Sequence, residues 1–214
     1  MEPGKFYHIY NHANGSENLF RSDENYRYFL SRYAHFINTV ADTYVYCLMP
    51  NHIHFLARIK SEAGLESTFG KFETFQKLEA RISKQFANLF SSYTQAFNKM
   101  YKRRGSLFIP NFKRPEITDN TYLTSVIVYI HFNPVNHRFT NNLASWPWSS
   151  YRTILSDKTT SIKRDEVLKW FGNRDEFLKF HQNADEAQRN EQLSKSLKLW
   201  KVNELTKKPG NDQR

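Results

Sequence analysis

Two histidines one residue apart, His52 and His54, lie in the stretch Leu48-Met49-Pro50-Asn51-His52-Ile53-His54-Phe55-Leu56. On a β-strand the side-chain period of two puts both imidazoles on one face. Imidazole is a common ligand for divalent metals, so the pair supplies half of a small coordination sphere. A second segment, Tyr122 to Val135, reads as a helix opened by Thr118-Asp119-Asn120 and stopped by Pro134. On it Tyr129 and Asn133 stand at i and i+4, one turn apart on a shared face. A carboxamide oxygen can serve as a third, hard metal ligand while the neighbouring phenol acts as a nucleophile. Taken singly, these residues read as strand-end histidines, a core tyrosine and a capping asparagine. Taken together they make a site.

The elements that must position them follow an α+β order. Residues 5 to 13 form a first strand, turned by Asn14-Gly15-Ser16, and residues 23 to 40 a helix with Tyr26, Phe29, Leu30, Tyr33 and Phe36 on its aromatic face. Strands follow at 43 to 49 and 52 to 59, separated by Pro50-Asn51. Residues 66 to 101 are mostly helical, with Phe72, Phe75, Leu78, Ile82, Phe86, Leu89, Phe90, Tyr93 and Phe97 at spacings near three and four. Pro110 and Pro115 make the strand at 107 to 117 an edge or irregular one. The sum is an antiparallel sheet of about four strands backed by helices. Beyond Tyr151 the composition turns polar. There 162 to 172 reads as a short helix ended by Gly172, 174 to 182 as another, and 203 to 214 as a frayed tail. This divides the chain into a catalytic domain at 1 to 155 and a C-terminal helical extension with its tail at 156 to 214.

A net charge of +10 and a pI near 9.6 point to a polyanionic partner, for which nucleic acid is the usual choice. Lys102, Arg103, Arg104, Lys113 and Arg114 gather around the turn after the long helix and are the candidate DNA-binding residues. Aromatic content is 16%, which supplies rings for both a core and base stacking. Trp146 and Trp148 suit a core or lid role better than stacking on bases. The one cysteine, Cys47, excludes an internal disulfide and a Cys-rich zinc site, and its apolar setting predicts a buried thiol. No apolar run approaches 18 residues, and the N-terminus lacks a secretory pattern, so a cytoplasmic location is expected. Tyr122, two turns before Tyr129, reads as packing.

Five strings run in order over residues 5 to 152: Tyr7-His8-Ile9-Tyr10-Asn11, Pro50-Asn51-His52-Ile53-His54-Phe55-Leu56, Tyr101-Lys102-Arg103-Arg104-Gly105-Ser106-Leu107-Phe108, Tyr129-Ile130-His131-Phe132-Asn133-Pro134-Val135 and Trp146-Pro147-Trp148-Ser149-Ser150-Tyr151. In these the chain resembles the single-tyrosine transposases of the HUH endonuclease superfamily, and within them the REP-associated group. The resemblance implies a ferredoxin-like or RRM-like sheet with the histidines on a central strand. It also implies His52, His54 and Asn133 as metal ligands and Tyr129 as the nucleophile that attacks DNA. The implied activity is metal-dependent cleavage and rejoining of single-stranded DNA near hairpins through a 5′-phosphotyrosine. Two imidazoles and one amide oxygen suit Mg²⁺ or Mn²⁺. Simpler members resemble dimers that share active sites, so a homodimer is an expectation here too. The chain departs from the pattern in a longer segment at 61 to 100 and in its sizeable tail. The alternative reading is a non-catalytic RRM-like module that binds nucleic acid. A zinc hydrolase is disfavoured, because the chain has neither His-Glu-x-x-His nor a further alternating histidine after His54.

Overall fold

The computed structural model describes residues 1–71 and 74–184 and divides the chain into two compact units, Met1–Trp170 and Phe171–Arg214. The first is built on one antiparallel sheet of four strands: β1 (Phe6–His12), β2 (Ala41–Met49), β3 (His52–Ile59) and β4 (Glu116–Ile117), in the order β2-β3-β1-β4. Its helices are α1 (Asp23–Ile37), α2 (Glu62–Phe69), α3 (Phe75–Met100), α4 (Asn120–Asn136), α5 (Tyr151–Ile154) and α6 (Arg164–Phe171), the last ending at its border. The fold is α+β, with the histidine strand β3 central in the sheet.

Register divides the sheet into two chemically distinct faces. Ile53, Phe55, Ala57 and Ile59 of β3 turn to one side and join Phe29 and Tyr33 of α1 and Phe86, Leu89 and Tyr93 of α3 in the buried core. Tyr33 stacks on Phe55 with ring centroids 4.1 Å apart. Each such fully buried Phe or Leu contributes roughly 1.5–3 kcal/mol, so this face supplies most of the hydrophobic driving force. The opposite face carries His52 and His54, paired with His12 and Tyr10 of β1 and with Met49 and Cys47 of β2. Helix α4 packs across β2 and β3 there. Imidazoles gain little from burial alone, so hydrogen bonds must hold them.

Both sheet edges are protected. The outer edge of β2 is covered by the tryptophan segment and the start of α6: Leu48 N–H donates to Trp148 O (2.9 Å), Ser150 N–H to Tyr46 O (2.9 Å) and Lys163 N–H to Thr43 O (2.9 Å). Trp148 stacks on Tyr26 of α1 at 4.5 Å, and the Trp146 indole N–H donates to Leu48 O at 3.0 Å, which is a packing and covering role. Cys47 is buried, and burial pushes its thiol pKa up. On the other edge, residues 107–117 follow β1 through isolated contacts such as Ile109 N–H to His12 O at 2.9 Å and the reciprocal pair between Lys113 and Tyr10 at 2.9 and 3.0 Å. Only Glu116–Ile117 is a regular strand, because Pro110 and Pro115 have no N–H to give.

Two expectations are corrected by the structure. The helical stretch at 66 to 101 is two helices. Gly70 leaves α2 with φ +81°, and Thr74 caps α3 by accepting from Lys77 N–H at 3.3 Å. Second, Pro134 does not stop α4, which runs to Asn136. A proline in the last turn removes one bond only, and His137 N–H still donates to Asn133 O at 3.0 Å before Arg138 turns left-handed at φ 60°. Trp170 of α6 stacks on Tyr44 at 4.9 Å and meets Phe6 edge-on at 5.5 Å, and the contact division falls after Trp170. In the second unit a helix covers 174–184, its Phe177 and His181 buried. The frayed tail expected at 203 to 214 and the apolar position of Phe72 lie outside the described residues.

Candidate active site

His52 and His54 share the α4-side face of β3, with ring centroids 5.3 Å apart and both side chains buried. Tyr129 and Asn133 come down from α4, whose N-terminus is fixed by Asp119 accepting from Tyr122 N–H at 2.7 Å. All four line one cleft of about 450 Å³ between α4 and the sheet. Asn133 is buried, whereas Tyr129 remains 47% exposed, its ring edge-on to His54 at 5.7 Å and to His8 at 5.9 Å. Tyr129 and the histidines therefore meet within a single chain.

The hydrogen bonds say which atoms face the cleft. Asn51 Oδ1 lies 2.7 Å from His52 Nδ1; a carboxamide oxygen only accepts, so Nδ1 carries the proton and Nε2 a lone pair. Burial foremost, with His137 and His12 adding to it, pushes the His52 pKa down to about 4, so the ring is neutral at pH 7. Asn133 donates through Nδ2 to the Tyr129 carbonyl at 2.9 Å, which turns Oδ1 inward. His52 Nε2 and Asn133 Oδ1 thus face each other at 3.5 Å, two acceptors with no proton between them. Two ligands each about 2.1 Å from one ion stand roughly 3–3.6 Å apart, so a cation fits this gap. Among the described residues no three His, Cys, Asp or Glu side chains form a metal-binding group; the candidate set is two imidazoles and an amide oxygen.

The cleft contains residues that the sequence reading passed over. His8, His12 and His137 join His52 and His54, so five of the eight histidines in the chain line it. His12 stacks on His52 at 4.9 Å, and His137 lies 4.6 Å from it. The alternation His8-x-Tyr10-x-His12 was the available signal, since β1 has the same period of two as β3. Tyr122 is corrected: it is 44% exposed and lines the cleft, and so is not a packing residue.

The basic turn is heterogeneous. Lys102, Arg104, Lys113 and Arg114 are exposed, with the Arg114 guanidinium over the Phe112 ring at 5.4 Å. Arg103 is engaged internally: it donates to Asn98 Oδ1 (2.7 Å) and Ser106 O (3.1 Å) and pairs with Glu17 at 3.5 Å. It holds the turn together, and any phosphate would have to compete with these partners.

A four-stranded antiparallel sheet that presents paired imidazoles to a tyrosine-bearing helix has the parts that the HUH single-tyrosine resemblance implies. Comparison with known proteins finds similarity to two that carry this group's name. The chain is 25% identical over 112 residues to a protein of Haemophilus influenzae (strain ATCC 51907 / DSM 11121 / KW20 / Rd) provisionally named a REP-associated tyrosine transposase, a match covering 51% of this chain and 58% of that one. The matched region thus spans little more than half the length of that relative. No protein-family model matches. The fold is shared with a REP-associated tyrosine transposase solved bound to a REP hairpin, at a TM-score of 0.52 and 16% identity, over 73% of this chain and 82% of that one.

Proposed function

We propose that the protein is a DNA strand transferase of the single-tyrosine HUH type, which cleaves and rejoins single strands near hairpins. The observation that carries this is the solvent-accessible Tyr129 standing over His54 in the cleft where His52 and Asn133 turn lone pairs toward one another. In the reaction the Tyr129 phenolic oxygen attacks phosphorus as its proton leaves. The bond from phosphorus to the 3′ oxygen breaks, and that oxygen takes up a proton. The products are a 5′-phosphotyrosine and a free 3′-OH, and reversal rejoins DNA without an external energy source. His52, His54 and Asn133 would hold Mg²⁺ or Mn²⁺, which when bound polarises the scissile phosphate and offsets charge in the transition state. The net charge of +10 and exposed Lys102, Arg104, Lys113 and Arg114 would draw and hold the DNA backbone.

The reading is tested by incubating the protein with a hairpin-bearing single strand and Mn²⁺ or Mg²⁺, then denaturing it. Wild type is expected to form a covalent protein–DNA adduct. Tyr129→Phe is expected to bind the same DNA and form none, whereas Tyr122→Phe still forms it. Binding without an adduct under either metal would overturn the enzymatic reading in favour of an RRM-like module that only holds nucleic acid.

A further inference from the structure

His8 lies on β1 in the same cleft, buried, and takes no part in the reaction just described. Its Nε2 stands 2.9 Å from His54 Nδ1 in a buried contact. The rings are close to parallel, 22° apart with centroids at 5.1 Å, and Tyr10 stacks on His54 at 5.5 Å, so the plane of His54 is held as well. The His54 ring is buried as well.

A neutral imidazole carries one proton, so this contact has two arrangements. If His8 donates, the proton of His54 sits on Nε2 and blocks that nitrogen as a ligand. If His54 donates from Nδ1, its Nε2 keeps a lone pair for the cleft. The neighbouring histidine shows the second pattern: Asn51 takes the Nδ1 proton of His52 and leaves Nε2 aimed at Asn133.

We propose that His8 is a positioning residue that accepts the Nδ1 proton of His54 and so presents the His54 Nε2 lone pair to a divalent cation. This rests on the cation site read above. It gives the two ligand histidines matching supports, Asn51 for one and His8 for the other, as metal-binding imidazoles require to fix ring and tautomer. A neutral acceptor does this without adding negative charge, where a carboxylate would repel the phosphate of the substrate.

The test uses the full chain, ¹⁵N-labelled, and needs no DNA. Long-range ¹H–¹⁵N correlation should find His54 protonated on Nδ1 and bare on Nε2. Mn²⁺ titration should give an affinity about 10–100-fold weaker for His8→Leu than for wild type. His8→Gln, whose side-chain oxygen reaches the same point, should recover most of that loss, which a purely packing role would not predict. Thermal unfolding of each variant checks the fold, and if His8→Leu does not fold, the wild-type tautomer and the His8→Gln affinity decide. A His54 found protonated on Nε2, or equal Mn²⁺ affinity in wild type and His8→Leu, overturns the role of His8 alone. Wild type that binds no Mn²⁺ overturns the cation reading together with it.

Discussion

At the scale of single residues, the candidate site was legible in two spacings. His52 and His54 share a face because strands have a period of two, and Tyr129 and Asn133 share one because helices repeat near 3.6. His8 and His12 have the same period of two, yet that they share a cleft with His52 and His54 emerges only when β1 pairs with β3, and the part of Asn51 only from a hydrogen-bond direction. His52→Ala removes one of the two facing lone pairs, and we expect it to abolish adduct formation and Mn²⁺ binding while circular dichroism stays that of wild type. Retained Mn²⁺ affinity would move the cation elsewhere. The buried histidines also set an acid limit. An unfolded histidine takes up its proton near pH 6.5, whereas His8, His52 and His181 are pushed down to about 4 in the fold, in each case first by burial. Between these values the unfolded chain binds more protons, so stability is full above about pH 6.5 and falls as pH drops toward 4, by at most about 1.4 kcal/mol per pH unit per histidine. A melting temperature measured from pH 7 to 4 should decline through that window, and a flat profile would show that these rings are hydrated.

At the scale of elements, patterns in the sequence found β1, β2, β3 and the main helices of the described residues, and β3 agrees with its expected bounds of 52 to 59. The misses have local causes. Gly70 ends a helix that apolar spacing alone would continue, and Pro134 is tolerated because the turn after it has its own acceptors. Composition singled out the basic turn, yet could not show that Arg103 faces Asn98 and Glu17 while Arg104 faces solvent. The two arginines should therefore separate experimentally. Arg104→Ala should weaken DNA binding and lower the slope of log K against log salt by about one unit, with the melting temperature unchanged. Arg103→Ala should lower the melting temperature, since it strips three contacts from the turn. An unchanged slope in Arg104→Ala would mean that this turn faces away from DNA.

At the scale of the whole molecule, the cleft is complete within one chain, because Tyr129 stands over His8 and His54 of its own sheet. Sharing of active sites between subunits is not needed to bring the proposed nucleophile and ligands together. A mixture of Tyr129→Phe and His52→Ala should accordingly form no adduct, since each chain lacks one half of its own site; restored activity would indicate exchange of α4 between subunits. The central claim is that Tyr129 is the attacking group, and the most direct test is proteolysis and mass spectrometry of the adduct trapped on a hairpin-bearing strand with Mn²⁺. A nucleotide joined through its 5′ phosphate to the Tyr129 oxygen is expected, with a free 3′-OH on the released strand. An adduct on Tyr122 or any other residue, or one linked through a 3′ phosphate, would contradict it.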